Sequence, residues 1–288
     1  MRIAIYGSRR QYGAFDYVRQ FLDTLRNRGD KVVMHRKLYA HLDEFIPEAL
    51  AVVDQVSDDP DFDADLAVSI GGDGTFLRTA LWVSGKEIPI VGVNTGHLGY
   101  LAPLSIEQLP MLPDLIAGDY LRIERRNVIE VVSPALPPHV GRYALNEVAI
   151  SKEESASMIQ AAVSLGDLPL ADYRADGLIV CTSTGSTAYN LSVGGPIVQP
   201  TLDVYVISPV AAHSLSMRPL VVDAATNITI VPGGRAPHIR LALDGRSVLV
   251  DVDTPVVLAR APFSVLVMQV ADHTFADTLR TKLHWGEV

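Results

Sequence analysis

The chain has 288 residues, 48% of them hydrophobic and 20% charged, so it can bury one large or two ordinary cores. A net charge of −9 argues against broad nucleic-acid or anionic-membrane binding, which normally needs a positive face. Its single cysteine, Cys181 in an apolar run, excludes an internal disulfide and reads as a buried, inert thiol in a reducing compartment.

Met1 to Gly7 runs directly into a strand-like segment with no signal-peptide pattern, and no apolar stretch approaches membrane-spanning length, so the expected location is the cytoplasm. Periodicity then predicts a strand at Ile3 to Tyr6, a helix at Phe15 to Arg28 and a strand at Lys31 to His35. A helix within Leu38 to Val56, a strand at Leu66 to Ile70, a helix from Thr75 to Val83 and a strand at Ile88 to Val93 follow. This alternation predicts an α/β domain with a parallel sheet. After a short helix near Ile106 to Leu115 and a hinge at Ala117 to Arg125, the rhythm changes to short β-rich runs. They begin at Val128 to Val132 and Tyr143 to Ile150 and end at Val265 to Val270, with one helix at about Ala188 to Val193. The expected domains are an α/β domain over 1–119, a sandwich-like all-β domain over 120–270, and a segment 271–288 packing back on the first, with the ligand in the cleft between the two.

The most informative stretch is Ser69-Ile-Gly-Gly-Asp-Gly-Thr75, an apolar strand running through glycines into a helix. Such a strand-to-helix turn presents free backbone N–H groups and the positive end of a helix dipole, a device that binds phosphate. Asp73 in that turn suggests phosphoryl transfer; the plain alternative is a tight turn with Asp73 capping the helix.

A second cluster, Thr182 to Ser192, follows a strand and sets Thr184, Ser186, Thr187 and Ser192 beside Tyr189. These hydroxyls can bond a ribose and phosphates while the ring packs on a base, or they can simply cap a helix. Asn146-Glu147 interrupts an apolar run, so a polar group there needs a partner or marks a strand end. Asp176-Gly177, with Arg174 two residues earlier, reads as a turn, and Asp244-Gly245 as a hairpin turn. His213 and the other histidines lack metal-ligand spacing. The P-loop, Rossmann, nucleophile-elbow and zincin motifs are absent.

Together, Gly71 to Thr75, Gly92-Val-Asn-Thr-Gly-His-Leu-Gly-Tyr-Leu101, Asn146-Glu147, Asp176-Gly177, Thr182 to Asn190 and His213 to Leu220 resemble the NAD kinase family over most of the chain. The departures are Ser183 where the family usually has Pro and Tyr100 where Phe is more usual. The resemblance implies phosphorylation of the 2′-hydroxyl of NAD's adenosine ribose by ATP, with Asp73 as general base and a divalent cation, Mg²⁺, arriving with ATP. It places Gly71, Gly72, Gly74 and Thr75 around phosphates and Asn146 and Glu147 on ligand hydroxyl or base groups. Asp176 would serve the nicotinamide half, and Thr187, Ala188, Tyr189 and Ser192 the adenosine. Asp73, Gly74, Thr184, Asn190 and Leu191 join the binding set, and Arg78 and Arg174 become counter-charges to phosphates. A homo-oligomer, dimer or tetramer, is implied as well. A lipid kinase of the same superfamily or a non-catalytic NAD(P) sensor are the alternatives; the acidic balance opposes the first and a retained Asp73 the second.

Overall fold

The computed structural model describes residues 1–8, 14–96, 99–153 and 158–286, so His97 and Leu98 of the Gly92–Leu101 motif lie outside the described residues. The chain divides into two compact units, Met1–Arg125 with Val265–Val288, and Arg126–Ser264.

The first unit contains β1 (Arg2–Gly7), α1 (Phe15–Arg28), β2 (Lys31–His35), α2 (Arg36–Asp43), β3 (Val53–Ser57), β4 (Leu66–Ile70), α3 (Asp73–Val83), β5 (Ile90–Asn94), β6 (Leu104–Ser105), α4 (Leu112–Ala117) and β7 (Leu121–Arg126). The second contains β8 (Ile129–Ser133), β9 (Tyr143–Ala144), β10 (Glu147–Lys152), β11 (Ile159–Leu165), β12 (Leu168–Ala175), β13 (Gly177–Thr182), α5 (Tyr189–Ser192), β14 (Val204–Val210), β15 (Leu220–Asp223), β16 (Ile228–Gly234), β17 (His238–Leu243), β18 (Arg246–Asp251) and β19 (Val256–Arg260). The chain then returns to the first unit as β20 (Val265–Val270) and α6 (Phe275–Leu283).

In the first unit the strand order is β3-β2-β1-β4-β5-β20-β7, with β6 beside β5. From β3 to β20 every recorded pairing is parallel. All five residues of β4 and of β5 are buried. This suits strands covered on both faces and explains why they read as unbroken apolar runs. Helix α1 forms because Val18, Phe21, Leu22 and Leu25 repeat at three- and four-residue spacing and bury one stripe. It stops where Gly29 takes the left-handed conformation, φ 72°, and its N–H returns to the last carbonyls.

The second unit is two six-stranded sheets, β15-β14-β13-β10-β17-β18 and β12-β11-β16-β19-β8-β9, with antiparallel pairing throughout. One apolar core takes Val148, Val180 and Ile207 from the first sheet and Val163, Ile230 and Leu258 from the second. Burying each such side chain contributes about 1.5–3 kcal/mol.

The structure departs from the periodicity at several points. The β-rich unit begins at Arg126 and ends at Ser264, not at 120 and 270, because β7 and β20 belong to the parallel sheet. Val265 to Val270 is a buried apolar run, and such a run carries no mark of which sheet will take it. Helix α3 starts at Asp73 rather than Thr75, since the Gly72 carbonyl already accepts the Phe76 N–H at 3.1 Å. Strands β3, β12 and β15 are not visible in the pattern. In β12 Pro169, Asp172 and Arg174 are exposed and interrupt the apolar signal.

The run Tyr143 to Ile150 is two strands. β9 lies in one sheet and β10 in the other, so the chain crosses between sheets at Leu145–Asn146. It crosses again at Asp176, between β12 and β13. Both polar motifs of this unit thus occupy corners where a strand changes sheets.

Candidate active site

In the first unit, β4 ends at Ile70 and Gly71 turns the chain at φ 146°, a conformation that L side chains rarely adopt. Its N–H bonds the Val93 carbonyl at 2.8 Å, which ties the turn to β5. Gly72 precedes α3 without any side-chain cap, so the positive end of the helix dipole is open to an anion. Asp73 is the first helical residue, yet its carboxylate does not cap its own helix. Oδ2 accepts the Tyr100 N–H at 2.9 Å and Oδ1 the Leu101 N–H at 3.1 Å. The capping alternative for Asp73 is therefore overturned.

Two further side chains frame this turn. Arg78 is exposed, hydrogen-bonds the Tyr6 hydroxyl, and approaches Thr75 Oγ1 at 3.4 Å. Burial raises the Tyr6 phenol and Arg78 opposes that rise. The Tyr100 hydroxyl is buried with no hydrogen-bond partner among the described residues, and burial, aided by Asp73, pushes it above the usual phenol range. An unsatisfied buried hydroxyl costs about 1–3 kcal/mol. Tyr100→Phe is expected to raise Tm by about 2–4 °C, measured by thermal unfolding.

In the second unit the sheet-crossing corner at Leu145–Asn146 is held by backbone. Leu145, Asn146 and Glu147 donate three consecutive N–H groups to the Asp244 carboxylate at 2.7, 2.9 and 3.0 Å. The Asn146 carbonyl accepts the Thr182 N–H at 2.8 Å, and the Thr182 hydroxyl donates to the Leu145 carbonyl at 2.6 Å. None of these bonds uses the Asn146 carboxamide. Asp244 does lie in the β17–β18 hairpin, at φ 46°, but the hairpin reading missed its larger role as anchor of this corner. No local signal links positions about a hundred residues apart.

Glu147 lies beside Asp244, and its Oε2 is buried without a partner. Burial first, and the Asp244 charge second, push its carboxyl up to about 7, against the Tyr189 N–H that bonds its charged form. A carboxyl raised in the folded state keeps protons that the unfolded chain releases, so folding stability falls as pH rises from about 4.5 to about 7. Glu147→Gln is expected to flatten that slope, adding at most about 3 kcal/mol at pH 8 and little at pH 5, as read by chemical denaturation at both pH values. Glu147, Asp244 and Tyr189, with Ala149, Val210 and Ala242, line a cavity of about 280 Å³. Cys181 is buried, and desolvation with Glu147 nearby pushes its thiol up to about 12.

The hydroxyl cluster divides by burial. Ser183 bonds the Leu202 carbonyl, and Ser186 Oγ both donates to and accepts from Val198, at 3.2 and 3.0 Å. Thr184 is buried and accepts from Arg126 Nη1 at 3.3 Å. Asn190 is fully buried, with Nδ2 on the Ser186 and Pro196 carbonyls and Oδ1 on Ser208. The Ser186 and Asn190 side chains bond within and around the turn, and Thr184 Oγ1 takes a bond from Arg126. Tyr189 and Ser192 are exposed, and Thr187, Ala188 and Leu191 half-buried. Asp176 pairs with Lys152 at 2.8 Å, and Arg174 is exposed on β12. Among the described residues no three His, Cys, Asp or Glu side chains come together to hold a metal. No described helix is long and apolar enough to cross a membrane.

Residues 3–120 match the ATP-NAD kinase N-terminal domain, and residues 145–265 the ATP-NAD kinase C-terminal domain. A curated NAD kinase of Bacteroides fragilis is 38% identical over 286 residues, covering 99% of this chain and 98% of the relative. The chain belongs to the NAD kinase family. An NAD kinase of Porphyromonas gingivalis is 40% identical over 294 residues at the same coverage. Among solved structures, yeast NADH kinase complexed with NADH superposes with a TM-score of 0.88, covering 100% of this chain and 89% of that one; at 20% identity the likeness concerns the fold alone. An NAD kinase from Archaeoglobus fulgidus in complex with ATP has a TM-score of 0.72 at 25% identity, with 94% of each chain covered. The family thus includes both halves, the parallel-sheet unit that carries Asp73 and the antiparallel unit that carries Asn146-Glu147.

Proposed function

We propose that this chain transfers the γ-phosphoryl group of ATP to the 2′-hydroxyl of NAD's adenosine ribose, yielding NADP and ADP, with Asp73 taking the hydroxyl proton. The observation that carries this reading is a carboxylate held by two N–H groups at the uncapped start of α3, in a chain of the NAD kinase family. As the oxygen attacks phosphorus its proton must leave, and a carboxylate within hydrogen-bond reach is a suitable acceptor. Gly71, Gly72 and Gly74 let backbone N–H groups approach phosphate, and Arg78, beside Thr75, adds a positive charge.

The ATP enters as its Mg²⁺ complex. The family resemblance implies an ion carried by the donor's phosphates. Carried in with ATP, it would offset negative charge on the transferring group.

For the dinucleotide, Asn146 and Glu147 are assigned to hydroxyl or base groups, Thr187, Ala188, Tyr189, Leu191 and Ser192 to the adenosine, and Asp176 with Arg174 to the remaining part. In support, the Asn146 backbone is fully anchored while its carboxamide takes no part in the anchoring, and Tyr189 presents an exposed ring next to the Glu147 cavity. The single buried thiol suits a reducing, cytoplasmic setting, and the family resemblance implies a homo-oligomer, testable by light scattering on the purified protein.

The direct test is incubation with NAD, ATP and Mg²⁺ followed by chromatographic detection of NADP. No NADP above background would sink the proposal.

A further inference from the structure

The Asp73 carboxylate is closely seated on the backbone that follows Gly99. The residue preceding its two amide donors is Gly99, and a Cβ placed there would lie 2.0 Å from Asp73 Oδ1. The same backbone is pressed from its other side against β5: a Cβ on Gly92 would lie 2.5 Å from both the Leu101 carbonyl oxygen and Ala102 Cα. Any side chain at either position would push the 99–102 segment or the carboxylate out of place.

We infer that Gly99, backed by Gly92, is a positioning residue that seats the Asp73 carboxylate on the Tyr100 and Leu101 N–H groups. The inference rests on the reading of Asp73 as the proton acceptor. A carboxylate has about four acceptor directions, two on each oxygen. One N–H on each oxygen, at 2.9 and 3.1 Å, fixes both the rotamer and the plane of the carboxylate. A free direction remains on each oxygen for an incoming hydroxyl. An unseated carboxylate would meet that hydroxyl in the wrong orientation, and a misplacement of about 1 Å can cost 10²-fold in rate. The device acts on turnover and leaves dinucleotide binding alone.

Gly99→Ala tests this. Its kcat for NADP formation should fall about 100-fold or more while the Kd for NAD, titrated without ATP, stays within about threefold of wild type. In an Asp73→Asn background the same Gly99→Ala change should cost almost nothing further, because the group it positions has lost its function. Wild-type kcat in Gly99→Ala, or a loss that adds in full to that of Asp73→Asn, would overturn the inference. Should Gly99→Ala fail to fold, Asp73→Glu takes its place: it keeps a carboxylate but moves it one methylene beyond the amide pair. A comparable fall in kcat at unchanged Kd supports the seat, and kcat within threefold of wild type overturns it. Absence of NADP with the wild-type protein would sink the reading of Asp73 as well, whereas an active wild type with an equally active Gly99→Ala sinks the seat alone.

Discussion

Asp73→Asn is expected to lower kcat for NADP formation by about 10²- to 10⁴-fold, the range over which a positioned general base contributes. The Kd for NAD should change little. The carboxamide resembles the carboxylate in shape but cannot take the ribose proton. It also has only one acceptor atom, whereas two N–H groups, from Tyr100 and Leu101, point at the native carboxylate. One of them must lose its partner, so the variant should also lose about 1–3 kcal/mol of stability, seen as a lower Tm. Steady-state kinetics, NAD titration and thermal unfolding on the same preparation separate these effects. If NAD binding falls as far as turnover, Asp73 is a binding residue and not the base.

The second large effect is expected at Asp244, more than 90 residues along the chain from the corner it holds. Asp244→Ala removes the acceptor of three consecutive, partly buried N–H groups and should destabilise the protein by about 3–5 kcal/mol, a fall in Tm on the order of 10 °C. A partial offset comes from Glu147, since removing the neighbouring negative charge takes away the second cause of its raised carboxyl. The variant's stability should consequently depend less steeply on pH between about 4.5 and 7 than that of the wild type. Unfolding curves at pH 5 and pH 8 check both points. A Tm within about 2 °C of wild type at both pH values would show that the corner holds without Asp244. Because Asn146 and Glu147 share this anchor, a weaker KM for NAD should accompany the loss of stability if they bind the dinucleotide.

Much of the site was legible because its turn chemistry is local. The conformational needs of Gly71, the placing of Asp73 between strand and helix, and the polar interruption at Asn146-Glu147 are written in neighbouring residues and need no distant partner to be noticed. The same holds for α1, β2 and β4, whose bounds coincide with the periodicity. The hydroxyl cluster from Thr182 to Ser192 was legible only as a cluster. Which hydroxyls turn inward to Val198 and Leu202, and which remain at the surface, depends on residues 12 and 19 positions away that carry no motif.

By itself, then, the amino-acid order determined the alternation of strand and helix, the change to β-rich structure, the Gly-Gly-Asp-Gly turn and a resemblance that the curated relatives bear out. Tertiary structure alone decided three things. Val265–Val270 joins the parallel sheet, Asp244 anchors Leu145 to Glu147, and the Tyr100 and Leu101 amides meet Asp73. The physical reason is common to all three. Backbone N–H and C=O groups are the same at every residue, so local order cannot name a hydrogen-bond partner tens of residues away; only the folded chain's close approach selects it.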